Sequence, residues 1–221
     1  MTLDTADDDT RERIKRAAIR LFARQGIDGV SVRAILTAAD VKNSAGIHYY
    51  FRTKDVLIGE LVSDALTRTR RARNAALDAL EASGAPISVR DVVNLICKVE
   101  TTETNDPEAR TDLPIGFGHM RFISVMQLNH RDKFTQAVEA EGDDSFERCI
   151  AHIAKALTEV PRAVLNQRIV FFYQFAQASL SAREAAFVQT KDGGKLWSDP
   201  NALENLIDSL TAGLICPGHL A

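Results

Sequence analysis

The stretch Lys42-Asn43-Ser44-Ala45-Gly46-Ile47-His48-Tyr49-Tyr50-Phe51-Arg52-Thr53-Lys54 concentrates hydrogen-bond donors around two apolar anchors. Ile47 and Phe51 are spaced to hold a short helix on a small core, which leaves Lys42, Asn43, Ser44, His48, Tyr49 and Tyr50 with polar atoms facing outward. Donors carried on a short helix suit the edges of base pairs in a DNA major groove about 12 Å wide. Other chemistry is thinly represented. The chain has no Gly-x-Ser-x-Gly elbow, no phosphate-cradling Gly-rich loop and no metal quartet. Cys149 and His152 stand at i and i+3, which is half a metal site without a second pair, and a buried Cys beside a hydrogen-bonded His is the favoured reading. No catalytic residue, metal or cofactor is expected, and a helical enzyme is kept as a remote alternative.

Such donors need elements to aim them. Helical periodicity dominates the 221 residues and no convincing run of alternating β-branched residues occurs, so the fold class is all-α. A first helix is expected from about Thr10 to Gln25, with Ile14, Ala17, Ala18, Leu21 and Phe22 as one apolar stripe and Gly26 as its stop. Arg13, Lys15, Arg16, Arg20 and Arg24 fall on its other faces, hydrated or available to phosphates. Ser31 caps a short second helix, and a third runs from about Asn43 to Tyr50. Two short helices behind a longer one make a candidate helix-turn-helix. Thr53 caps a fourth helix with no breaker until Gly84, and the domain boundary is placed inside it. The expected division is an acidic disordered tail over 1–9, the DNA-binding domain over 10–55 and a helical body over 56–221.

The charge is divided the same way. Residues 10–75 hold 14 Lys and Arg against 6 Asp and Glu, whereas residues 76–221 hold 13 against 20, although the whole chain is only −3. A basic head on an acidic body suggests that the head alone seeks a polyanion. No stretch approaches the roughly 18 unbroken apolar residues of a membrane span, and MTLDTADDD is not a basic targeting segment. Three widely spaced cysteines, Cys97, Cys149 and Cys216, form no disulfide framework. A cytoplasmic protein without membrane partners is expected.

The spacing of Ala18-Ile19-Arg20-Leu21-Phe22-Ala23-Arg24-Gln25-Gly26, followed by Ser31-Val32-Arg33-Ala34-Ile35 and by the run IHYYFRTKDVL at 47–57, resembles the TetR family of bacterial transcriptional regulators over roughly the first 60 residues. Nine residues separate Val41 from Phe51, one more than the commonest form of the motif, and His48 stands where many members carry Tyr. The resemblance implies a DNA-binding head, a helical body that dimerises and usually holds an inducer, and repression as the commonest role. It also implies that Ser31 meets a phosphate, that Arg33 contacts DNA, and that Tyr49, Tyr50 and Lys54 occupy DNA-facing positions.

In the body, the 115–134 segment and the Phe171–Phe175 cluster combine apolar walls with a few polar groups. Phe117, Met120, Met126, Phe171 and Phe175, with Arg121 or His130 as polar anchor, either line a pocket for a small, largely apolar effector or pack as core. Ala178, Ser179 and Ala182 would let another helix approach closely. Together with Leu203, Leu206, Ile207, Leu210 and Leu214 they either form a homodimer surface or pack within one subunit. A dimer requires a double-stranded, approximately palindromic operator. The competing function is a DNA-binding dimer controlled by a protein partner rather than a small molecule.

Overall fold

A computed structural model describes residues 3–42, 46–101, 118–142, 144–190 and 193–217. They form eleven helices, and no strand occurs among them. Two compact units arise: the described parts of Met1–Thr67 and Glu103–Glu141, and those of Arg68–Thr102 and Gly142–Ala221.

The first unit begins with α1 (Leu3–Gln25), seven residues ahead of the expected start. The acidic tail over 1–9 is thus corrected in part to helix. Asp9 pairs with Arg13 at i,i+4. Ile14, Ala17, Ala18 and Phe22 are buried as the stripe requires. Gly26 ends the helix in the left-handed region at φ +75°, its N–H on the Phe22 carbonyl.

In α2 (Val32–Ala38), Ile35 and Leu36 are buried. It closes with Asp40 at φ +54°, where the Asp40 N–H bonds the Thr37 carbonyl and the Val41 N–H bonds the Leu36 carbonyl. That pair of bonds is a Schellman closure, with Asp in the position usually given to Gly, and it makes the sharp turn toward α3 (Gly46–Tyr50). Ile47 and Phe51 are buried under α3 as expected. Next, α4 (Lys54–Ala82) runs 29 residues without a break, about 43 Å at 1.5 Å per residue. Thr53 caps it, its Oγ1 accepting from the Val56 N–H at 3.2 Å.

Helices α6 (His119–Asn129) and α7 (Arg131–Glu141) belong to this same unit. The expected body over 56–221 therefore contributes two helices to the core that carries the helix-turn-helix. Phe122 stacks on Phe22 with ring centroids 6.0 Å apart, and Ile123 and Met126 join the cluster of Ile14, Ile35, Ile47 and Leu57. Gly118 lies so close to α1 that a Cβ there would sit 3.1 Å from Ile19 Cγ2. Glu141 accepts from Ser63 and Thr67 on α4, and Lys133 pairs with Asp55 at 2.9 Å.

The second unit contains the rest of α4 with α5 (Val89–Thr101), α8 (Ser145–Ala156), α9 (Arg162–Gln189), the short α10 (Gly194–Trp197) and α11 (Ala202–Ile215). Ser88 and Asp91 bond reciprocally at the start of α5, a capping box. Between α7 and α8 the chain turns at Gly142, which takes φ +58°. Helix α11 packs on α5 and α9. Arg148 on α8 reaches Asn74, Asp78 and Glu81 of α4, and His152 forms a hydrogen bond with Glu81 at 2.8 Å, so this histidine joins the polar network that ties α8 to α4. Among the described residues no helix is long and apolar enough to cross a membrane.

Candidate nucleic-acid interface

The face of the first unit left open by α2 and α3 is built from residues whose neighbours are core. Ser31 is the N-cap of α2, its Oγ accepting from the Ala34 N–H at 3.1 Å, which leaves its hydroxyl proton for an outside acceptor. Arg33, two residues on, is exposed, as is Lys42 at the entrance to α3. Asn43 and Ser44 lie outside the described residues. On α3 the two tyrosines differ. Tyr49 is 71% exposed, while Tyr50 packs partly against the core and meets the Tyr49 ring edge-on at 4.8 Å. Tyr49 is thus presented outward and Tyr50 steadies it. His48 is exposed, with its Nδ1 on the Arg52 carbonyl at 2.7 Å.

Two basic residues are engaged within the head. Lys54 does not extend into solvent: its ammonium donates to the carbonyls of Ile27 at 2.6 Å and Val30 at 2.7 Å, and lies over the Phe22 ring at 5.5 Å. The turn between α1 and α2 leaves those two carbonyls open, and the lysine at the start of α4 fills them. Lys15 is likewise engaged, 2.7 Å from Asp64 and 3.5 Å from Glu60 of α4. Burial pulls the Lys15 ammonium down, but Asp64, Glu12 and Glu60 more than offset it and hold it raised. Arg11 pairs with Glu60 and covers Phe51 at 4.8 Å. These acids on α4 neutralise one face of α1. Arg20 and Arg24 remain exposed.

These placements separate phosphate contacts from scaffold. Arg33→Ala is expected to weaken DNA binding and lower the slope of log K against log salt by about one unit. Lys54→Met is expected to lower the thermal midpoint of the protein and leave that slope unchanged. Anisotropy titrations at several salt concentrations, paired with thermal melts, read both.

The other sequence-selected residues separate into the two units. Met120 and Met126 are buried and Arg121 and His130 half-buried in the first, with Met126 inside the core cluster and His130 Nε2 3.7 Å from Asp28. Phe171 and Phe175 are in the second and stand exposed on α9, at 65% and 50%. Phe117 lies outside the described residues. Of the dimer candidates, Ala178 and Ala182 are exposed on the same α9 face, Ser179 and Leu203 are half-buried, and Leu206, Ile207, Leu210 and Leu214 are buried within the protomer. This last finding corrects the α11 half of the expected interface, because one apolar stripe can be buried only once and this one is used against α5 and α9.

The fold and the presented face define a class: an all-helical protein with a three-helix head of the helix-turn-helix kind. The family profile of bacterial regulatory proteins, tetR family, matches residues 14–61. Over that segment the chain is similar to the TetR family. The HTH-type transcriptional regulator YttP of Bacillus subtilis (strain 168) is 46% identical over 55 residues, 25% of this chain and 26% of that protein. The chain therefore spans about a quarter of the length of the curated relative it matches. A crystal structure from Mesorhizobium loti MAFF303099, assigned as a TetR-family transcriptional regulator, aligns at TM-score 0.50 and 15% identity, covering 94% of each chain. Another, assigned as a transcriptional regulator from Rhodococcus sp. RHA1, aligns at 0.49 and 19% identity, covering 94% of this chain and 96% of that one.

Proposed function

We propose that the chain is a cytoplasmic transcriptional regulator, a repressor that binds a palindromic operator as a homodimer and is released by a small, largely apolar effector. The observation that carries the DNA-binding part is the presentation of Tyr49, His48, Arg33 and Ser31 on one small, firmly packed head. The donors of that face suit phosphates and base edges, and the buried Ile47 and Phe51 fix their direction. The α9 face of Phe171, Phe175, Ala178 and Ala182 supports self-association, since it is apolar, exposed and free of charged side chains. Two heads related by a two-fold axis would require half-sites about 34–36 Å apart.

One observation favours the second reading, in which a protein partner rather than a small molecule controls the dimer. Met126, one of the residues expected to line an effector site, is spent in the core of the head.

The test is a fluorescence-anisotropy titration of the purified protein on the DNA flanking its own gene and on scrambled DNA, at two salt concentrations. Salt-sensitive binding at least about 10³-fold tighter on the flanking DNA is expected for a specific regulator. Equal weak binding to both would remove that DNA as the operator.

A further inference from the structure

We propose that His48 determines operator specificity by accepting a hydrogen bond from an exocyclic amine, adenine N6 or cytosine N4, on the strand it faces in the major groove. The inference rests on the reading of the head as a DNA-binding domain and adds the polarity of one contact. His48 Nδ1 lies 2.7 Å from the carbonyl oxygen of Arg52. A carbonyl only accepts, so Nδ1 carries the proton, and in the neutral ring Nε2 is left with a lone pair and no hydrogen. The two nitrogens point out of opposite sides of the imidazole, so Nε2 turns away from Arg52. The ring is exposed, next to Tyr49 on the outward face of α3.

The carbonyl that fixes this tautomer belongs to an unusual residue. Arg52 takes φ +61°, a left-handed conformation that costs a side-chain-bearing residue free energy. Its position is fixed on both sides, by Phe51 in the core and by Thr53 as the cap of α4. The histidine is therefore oriented by backbone that the fold already holds. In the major groove, guanine presents N7 and O6, thymine presents O4, and only adenine N6 and cytosine N4 donate. A lone pair at Nε2 meets a proton from an amino base and another lone pair from a keto base. The expected readout is adenine or cytosine over guanine or thymine at one position of each half-site.

The test is selection from a randomised duplex pool at pH 8 with the full-length protein, His48→Phe and His48→Gln. The wild type should select a motif with one symmetric pair of positions held as adenine or cytosine, preferred by about five- to ten-fold, the lower end expected of a single base contact. His48→Phe should lose the preference there and keep the rest of the motif. His48→Gln, carrying both an acceptor and a donor, should accept all four bases at that position. Replacing the selected base by its analogue without the amine should weaken the wild type by the same factor and leave His48→Phe unchanged. An identical motif from His48→Phe, a guanine or thymine at the lost position, or indifference of the wild type to the missing amine would overturn the inference while leaving DNA binding intact. Failure of the wild type to select any motif would overturn the DNA-binding reading and this inference with it.

Discussion

Arg73→Met is expected to lower the stability of the second unit by about 3–5 kcal/mol at pH 7, because it leaves a largely buried carboxylate without its hydrogen-bonded guanidinium. Arg73 is only 7% exposed. Its Nη1 donates to Ser145 Oγ at 3.0 Å and its Nη2 to Glu100 at 3.3 Å, with the guanidinium over the Phe146 ring at 5.5 Å. Burial pushes the Glu100 carboxyl up, and Arg73 and Arg68 pull it part of the way back. A carboxyl whose folded pKa is raised contributes its full stability below the unfolded value, and loses it as pH rises through the folded value. Removing Arg73 raises the folded value further, so the penalty should be large at pH 7 and shrink toward pH 4.5, where Glu100 is increasingly protonated. The double variant Arg73→Met with Glu100→Gln should recover much of the loss at pH 7, because no charge is then stranded. Urea unfolding at the two pH values, at fixed protein concentration, measures this. A penalty below about 1 kcal/mol, or one equal at both pH values, would show that the pair is solvated in solution.

The same contrast between local and distant partners explains what could be read from the sequence. The stripe of Ile14, Ala17, Ala18 and Phe22, the anchors Ile47 and Phe51, and the caps Ser31 and Thr53 all follow from spacing within one helix or one turn, and all occur as expected. Periodicity says that a face is buried, without saying against what. The apolar run of α6 was legible as buried, yet nothing in it pointed to Phe22 about a hundred residues earlier. The α11 stripe was legible too, but its partners on α5 and α9 were not, so a surface for a second copy and a core within one copy looked alike. Lys54 is the same problem in polar form. Its neighbours suggest a phosphate, and the carbonyls it satisfies are 24 and 27 residues away. His48 was visible as a donor-bearing residue on α3, but its tautomer depends on the left-handed turn at Arg52, which no spacing rule signals for an arginine.

If the proposed homodimer forms through α9, Phe171→Glu with Phe175→Glu is expected to yield a monomer and to reduce operator affinity by about 10²-fold or more. The two rings are 65% and 50% exposed on a face of α9 that Ala178 and Ala182 continue. Large exposed apolar side chains in one row mark an association surface more often than a solvated one. Two carboxylates placed there meet their own symmetry mates across a two-fold axis, where like charges and desolvation both oppose contact. Loss of the dimer makes the second half-site a separate binding event, so the affinity gained from linkage, commonly 10²–10⁴-fold, disappears while each head keeps its own contacts. The salt slope per head should therefore stay the same as the operator affinity falls. Ile207→Ala supplies the comparison. Ile207 is fully buried within the protomer, so this change should cost about 2–5 kcal/mol of stability, and the protein that remains folded should still be dimeric. Light scattering and operator titration of the two variants separate the roles. A dimeric double-glutamate variant with full operator affinity would move the interface away from α9, whereas a monomeric one with unchanged circular dichroism would place it there.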